Sequence, residues 1–208
     1  MTSPSQATRS SLQTALAEAS RDIARDDQGA ADELTADGAN HMESGYNRLM
    51  RFAVLTISDR CSEGVQEDTA GPAVFGVLKR EWPEEEIVRA LLPDDTEAIA
   101  AALEEFSRQG AVLVLTVGGT GMGPRDNTPE ATRRILDREA PGLAEAMRAR
   151  GAERNPYAWL SRGVAGMCGA TLIVNLPGSR RGAEESVEAI LKLLRHAIEV
   201  AGGGTAHP

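Results

Sequence analysis

The chain has 208 residues, 41% of them hydrophobic, which suits one domain of moderate size with an appendage, or two small domains. Aromatics are only 3%, so Val, Leu, Ile and Ala must fill the core. A formal charge of −9 argues against a general nucleic-acid binder, which presents basic faces, yet permits a phosphorylated ligand at a local basic spot.

Residues 1–50 are rich in Ala, Ser, Thr, Asp and Gln and carry −4 of the charge, leaving −5 for the remainder. The patch SSLQTALAEASRDIA has helical spacing at Leu12, Leu16 and Ile23, too little apolar surface to hold a fold alone. These residues read as a disordered tail with a helical patch, and translation starting at Met50 or Met42 would leave most of it outside the native protein. From Arg51 the text changes. RFAVLTI (51–57) is a short apolar run rich in β-formers and reads as a buried strand. DTAGPAVFGVLKREW (68–82) has helix-spaced Val74, Val77 and Leu78, and EIVRALL (86–92) reads as a second strand. DDTEAIAAALEEFSRQG (94–110) is a helix with Ile99, Leu103 and Phe106 on one face and Gly110 as its stop. AVLVLTV (111–117) is the most apolar strand. TPEATRRILDREA (128–140) reads as a helix with Thr128 as N-cap and Pro129 at the first helical position, and GLAEAMRARG (142–151) as a shorter one. ATLIVNL (170–176) is a further strand, and residues 183–201 close the domain with Val187, Ile190, Leu191, Leu194, Ile198 and Ala201 in register. Residues 202–208 are expected to be flexible.

Apolar strands alternating with helices predict an α/β fold: a mainly parallel sheet with helices on both faces. No apolar run approaches the ~20 residues of a membrane span. Residues 1–20 lack the pattern of a signal peptide. Two widely spaced cysteines, Cys61 and Cys168, read as reduced thiols of a cytoplasmic protein.

In such sheets ligands bind beyond the carboxyl ends of the strands. Those ends read SDRCSEG (58–64), PDD (93–95), GGTGMGPRD (118–126) and PGSRRG (177–182). Glycines at a buried strand's end let backbone N–H groups approach an anion with no Cβ in the way. GGTG is neither a Walker A loop nor GxGxxG, and a tight turn is its bland alternative. Asp126 stands outside the predicted helix and is spare if Thr128 is the cap. Asp94 and Glu97 fit the D-x-x-E capping pattern, so Asp94 is either a cap or a ligand-site acid. PGSRRG is either a loop with solvated arginines or a second anion cradle. Taken together, the strand ends suggest phosphates held by bare backbone and arginine, with carboxylates holding Mg²⁺ against them.

LTISDRCSEG, LLPDD, LTVGGTGMGPRDNTPEAT, the LSRGVAG run and LIVNLPGS, in that order, resemble the molybdopterin adenylyltransferase family, which includes gephyrin-like domains of molybdenum-cofactor proteins. The resemblance spans roughly residues 51–200. The related molybdenum-insertion domains carry a loop closer to GGVSVGD, and GGTG followed by PRD and TPEA sides with the adenylyltransferases. The resemblance implies a Rossmann-like three-layer sandwich over residues 51–201 that forms homotrimers. It implies Mg²⁺-dependent transfer of AMP from ATP to the terminal phosphate of molybdopterin, with pyrophosphate leaving, and contact with the molybdenum-insertion enzyme. The family's two key acids match Asp94 and Asp126, as catalytic and metal-binding groups. Its binding loops match Ser58, Asp59, Gly118, Gly119, Thr120, Gly121, Arg125, Ser161, Asn175, Pro177, Gly178 and Ser179. Arg180 and Arg181 count only as general anion attraction. A molybdopterin-binding or scaffold protein without transfer activity is the alternative.

Overall fold

The computed structural model describes residues 51–203; the tail, its helical patch, the candidate starts Met42 and Met50, and residues 204–208 lie outside the described residues. The first strand, β1 (Arg51–Ile57), buries every side chain after Arg51 and leads into a four-residue helix, α1 (Asp59–Ser62). Helix α2 (Ala70–Glu81), strand β2 (Glu86–Leu92), helix α3 (Thr96–Arg108) and strand β3 (Ala111–Val117) then alternate. Next come the short helix α4 (Thr128–Arg133), the two-residue strand β4 (Arg138–Glu139) and helix α5 (Pro141–Ala152). A 3-10 turn (Pro156–Leu160), strands β5 (Ala165–Cys168) and β6 (Thr171–Leu176), and the 22-residue helix α6 (Arg180–Ala201) complete the chain. Gly202 and Gly203 form the turn that closes α6, their N–H groups donating to the Ile198 and Val200 carbonyls.

The six strands make one sheet in the order β2-β1-β3-β6-β5-β4. The first four run parallel, and β5 and β4 add an antiparallel edge. Period-two alternation sends neighbouring strand residues to opposite faces. Phe52 and Val54 therefore join α2, α5 and α6 in one core, with Val74, Val77, Leu78, Val187, Ile190 and Leu194. Ala53, Leu55 and Ile57 join α3 and α4 in the other, with Ile99, Leu103 and Phe106. Helices thus cover both faces, and the fold is the expected mainly parallel α/β sandwich.

Two expectations about elements fail. The helix read over 128–140 stops at Arg133, because the backbone N–H groups of Asp137 and Ala140 donate to the Met167 and Ala165 carbonyls of β5 (2.8 and 2.7 Å). Strand pairing outweighs the helical pattern of the sequence there. Nor is Thr128 a side-chain cap: it is the first helical residue after Asn127, and its buried Oγ1 has no hydrogen-bond partner. Strands β4 and β5 carry too few residues, and β5 too little apolar pattern, to have been read beforehand.

The connections from β1 to β2 and from β3 to β6 leave in opposite directions across the sheet, so β1 and β3 flank a topological switch point. Their carboxyl ends, Ser58-Asp59 and Gly118-Gly119, open there, with Pro93-Asp94 and Pro177-Gly178 to either side.

Candidate active site

The glycine loop is shaped by contacts only glycine permits. Gly118 has φ +111°, and a Cβ on it would lie 2.3 Å from the Ile57 carbonyl oxygen. Gly119 has φ +63°, and its absent Cβ leaves a notch bordered by Thr128 Oγ1 and Asp94 Oδ1, at 2.2 and 3.0 Å from where it would stand. The Gly118 N–H donates to the Leu176 carbonyl (3.1 Å), and Gly178 packs on Gly118, so the two glycine turns meet at one edge.

Four charged residues converge beside this loop. Asp59 and Asp94 exchange hydrogen bonds, each backbone N–H donating to the other's carboxylate at 2.9 Å. Arg125 clamps Asp59 with its fork, Nε to Oδ2 at 2.9 Å and Nη2 to Oδ1 at 2.8 Å. Asp126 folds back to accept from the Gly123 N–H (2.7 Å). Burial is the main force raising the Asp94 carboxyl above the usual carboxylate range; the negative charges of Asp59 and Asp126 push the same way, while the Asp59 N–H and Arg125 pull against them. The cap of α3 is Asp95, which accepts from the Ala98 N–H (2.8 Å), so Asp94 is released from the capping role its D-x-x-E pattern suggested.

A cavity of about 680 Å³ lies alongside. Gly119, Thr120, Gly121 and Asp126 line it from the loop, and Pro177, Gly178 and Ser179 from the end of β6. Ser161 and Asn175 line it too; Ser58, Asp59, Asp94, Gly118 and Arg125 do not. The structure therefore divides the expected residues into a carboxylate edge and a cavity, joined at Gly119 and Asp126. Ser58 and Ser179 are helix caps, accepting from the Cys61 and Gly182 N–H groups at 3.2 Å each. Asn175 is 1% exposed, and its amide braces three elements. Its Nδ2 donates to Thr116 Oγ1 (3.0 Å) and Thr132 Oγ1 (2.9 Å), and its Oδ1 accepts from the Val164 N–H (3.2 Å).

Several residues here went unread in the sequence. Arg162 holds the glycine loop, and Arg148 holds the segment around Arg162. Arg154 shares Glu185 at the rim with Arg181, which the sequence had marked only for general anion attraction, both at 2.8 Å. Asp68 accepts from Thr56 Oγ1 and from the Ala70 and Gly71 N–H groups, fixing the start of α2. Arg162 and Asp68 had local signals, one inside LSRG and the other in DTAG before a helix. Arg148 and Arg154 had none, since their partners lie across the fold.

Asp94 and Asp126 fit a Mg²⁺ ion in their chemistry. Both are hard oxygen donors, and the Oδ1 of each makes no hydrogen bond among the described residues. No group of three or more His, Cys, Asp or Glu is arranged to hold a metal among the described residues, so two carboxylates would leave most of the ion's shell to water and phosphate.

Fold and site together define an α/β domain with a glycine-lined cavity at its strand edge. Residues 53–196 match the family described as "Probable molybdopterin binding domain". The cinnamon molybdenum cofactor synthesis protein of Drosophila melanogaster is 39% identical over 73% of this chain, which spans only 25% of that protein. The molybdopterin adenylyltransferase of Haemophilus influenzae is 38% identical over 68% of this chain and 73% of its own length. Among solved structures, the molybdopterin biosynthesis enzyme MoaB of Thermus thermophilus superposes with a TM-score of 0.69 at 49% identity, covering 74% of this chain and 98% of that one. The chain belongs to this molybdopterin-binding family of molybdenum-cofactor biosynthesis.

Proposed function

We propose that the protein transfers AMP from ATP to the terminal phosphate of molybdopterin. The observation that carries this reading is the meeting of Asp94 and Asp126 at a glycine loop whose Gly119, Thr120 and Gly121 N–H groups donate to nothing among the described residues. An oxygen of the pterin phosphate attacks the α-phosphorus of ATP. The bond from the α-phosphorus to the bridging oxygen breaks, and pyrophosphate leaves with its electron pair. The attacking phosphate is already anionic at pH 7 and needs alignment and relief from repulsion rather than deprotonation. The loop N–H groups supply fixed donors to the phosphate oxygens as charge moves, and the start of α6 adds the positive end of a long helix dipole beside the same cavity. A Mg²⁺ ion held by Asp94 and Asp126 would offset charge on the phosphates. Arg125 holds Asp59, and Asp59 in turn orients Asp94 through their paired hydrogen bonds.

The same reading carries a homotrimer, a cytoplasmic setting and delivery of the product to the insertion enzyme. No helix among the described residues is long and apolar enough to cross a membrane. The alternative of binding without transfer draws on the cavity alone, whose lining leaves out Asp94. An assay with molybdopterin, Mg²⁺ and α-labelled ATP separates the two. Labelled adenylyl-pterin is expected, falling about 10²-fold in Asp94→Ala and in Asp126→Ala. Tight pterin binding with no label transferred would establish the binding protein instead.

A further inference from the structure

Three consecutive carbonyls of the glycine loop are tied down on one side. The Gly119 carbonyl accepts from the Thr128 N–H (3.1 Å). The Thr120 carbonyl accepts from the backbone N–H of Arg162 (2.9 Å), and the Gly121 carbonyl from Arg162 Nε (2.6 Å). All peptide bonds here are trans, and in a trans peptide the N–H points opposite to the C=O. Anchoring these carbonyls therefore aims the N–H groups of Thr120, Gly121 and Met122 the other way. None of the three donates to protein among the described residues, and all three residues line the cavity.

We propose that Arg162 is the positioning residue that sets this direction, so that the loop presents N–H groups rather than carbonyl oxygens to the anion. Its guanidinium spends all its reach on the task. Nε takes Gly121, Nη2 takes the Asp126 carbonyl, and Nη1 pairs with Glu130 on α4. The same side chain thus fixes the backbone that carries Asp126. Arg162 is itself held from both sides, because Arg148 Nη1 donates to the carbonyls of Ser161 (3.2 Å) and Gly163 (3.1 Å). The planar fork is needed for this work; a lysine ammonium is a single point charge and cannot span two carbonyls and a carboxylate in fixed directions. Without the fork, the peptide 121–122 is free to turn while the backbone N–H of Arg162 still holds the Thr120 carbonyl, and a carbonyl facing a phosphate repels it.

What the N–H groups hold rests on the transfer reading; the direction in which they point does not. The test uses the full chain with Arg162→Gln and Arg162→Lys, and Arg80→Gln as a control, since among the described residues Arg80 pairs only with Glu188, on the surface. Amide hydrogen exchange is followed at Gly123, Asp126 and Thr128, whose N–H groups are bonded within or beside the loop. Both Arg162 variants are expected to exchange about tenfold faster at these amides, with β1 and β3 unchanged. AMP transfer should show a kcat about tenfold lower or more, with little change in KM for ATP, as for a group that acts through transition-state donors. Wild-type exchange at the three amides in Arg162→Gln would overturn the proposal. So would faster exchange spread through β1 and β3 with a lowered melting temperature, which would mark a merely structural arginine. Should the wild type transfer no AMP, the functional reading falls, and the exchange comparison alone still decides the role of Arg162.

Discussion

Asp94 shows how much one side chain's direction decides. In sequence it shares PDD with Asp95, and the D-x-x-E spacing favours it as the cap. The backbone instead turns Asp95 onto the Ala98 N–H and leaves Asp94 facing Asp59 and the Gly119 notch. Burial raises the Asp94 pKa, so its folded value stands above the unfolded value of about 3.9. A raised pKa means that this group's stabilising contribution is complete below about pH 3.9 and is lost as pH rises through the folded value. At neutral pH the ionised carboxylate is therefore a cost to the fold. Asp94→Asn should melt above the wild type at pH 7.5, with the gap closing as pH falls toward 4, while transfer is lost. Coincident melting curves at pH 7.5 would show that burial does not strain the group. Asp126 and the glycines were legible because GGTG and PRD are local words. The roles of Asn175, Ser58 and Ser179 were not, since each hydroxyl or amide is committed to partners that spacing alone does not identify.

Among the elements, the helices with long apolar stripes were legible and the short ones were not. Helices α2 and α3 appear with the predicted faces buried, and α6 with Val187, Ile190, Leu194 and Ile198 buried and Leu191 and Ala201 half-buried, because periodicity over three turns or more fixes which side meets a sheet. Their caps follow local chemistry. Asp95→Ala removes the side-chain acceptor at the start of α3 and should cost about 1 kcal/mol, read as a shift of the urea midpoint. No shift would mean that water satisfies the Ala98 N–H as well as the carboxylate does. Residues 134–140 misled the reading because the pattern of TPEATRRILDREA is locally helical. Its second half is captured by β5, whose Met167 and Ala165 carbonyls take the Asp137 and Ala140 N–H groups. Nothing in residues 128–140 encodes that partner, which arrives some thirty residues later in the chain.

Across residues 51–203, two apolar cores lie on either side of one sheet. Ile99 lies in the core under α3, and Ile190 in the core under α6, both fully buried. Ile99→Val and Ile190→Val should each cost about 1 kcal/mol. Because the sheet separates them and they share no core cluster, the double variant should cost the sum to within about 0.5 kcal/mol. A larger departure in urea unfolding would show that the cores communicate through the sheet. The sequence by itself determined the class of fold, the face each long helix buries and the glycine-bearing strand ends beside which the cavity opens. Those properties follow from periodicity and turn chemistry, which act over a few residues. It also pointed, through ordered motifs, to the molybdopterin-binding family. Only the tertiary structure decided that Asp95 and not Asp94 caps α3, that Asn175 braces β3 and α4, and that Arg162 holds the carbonyls of the glycine loop. Each of those roles depends on a hydrogen-bond direction, most of them set by a partner tens of residues away, and direction is fixed only when the sheet brings the partners together.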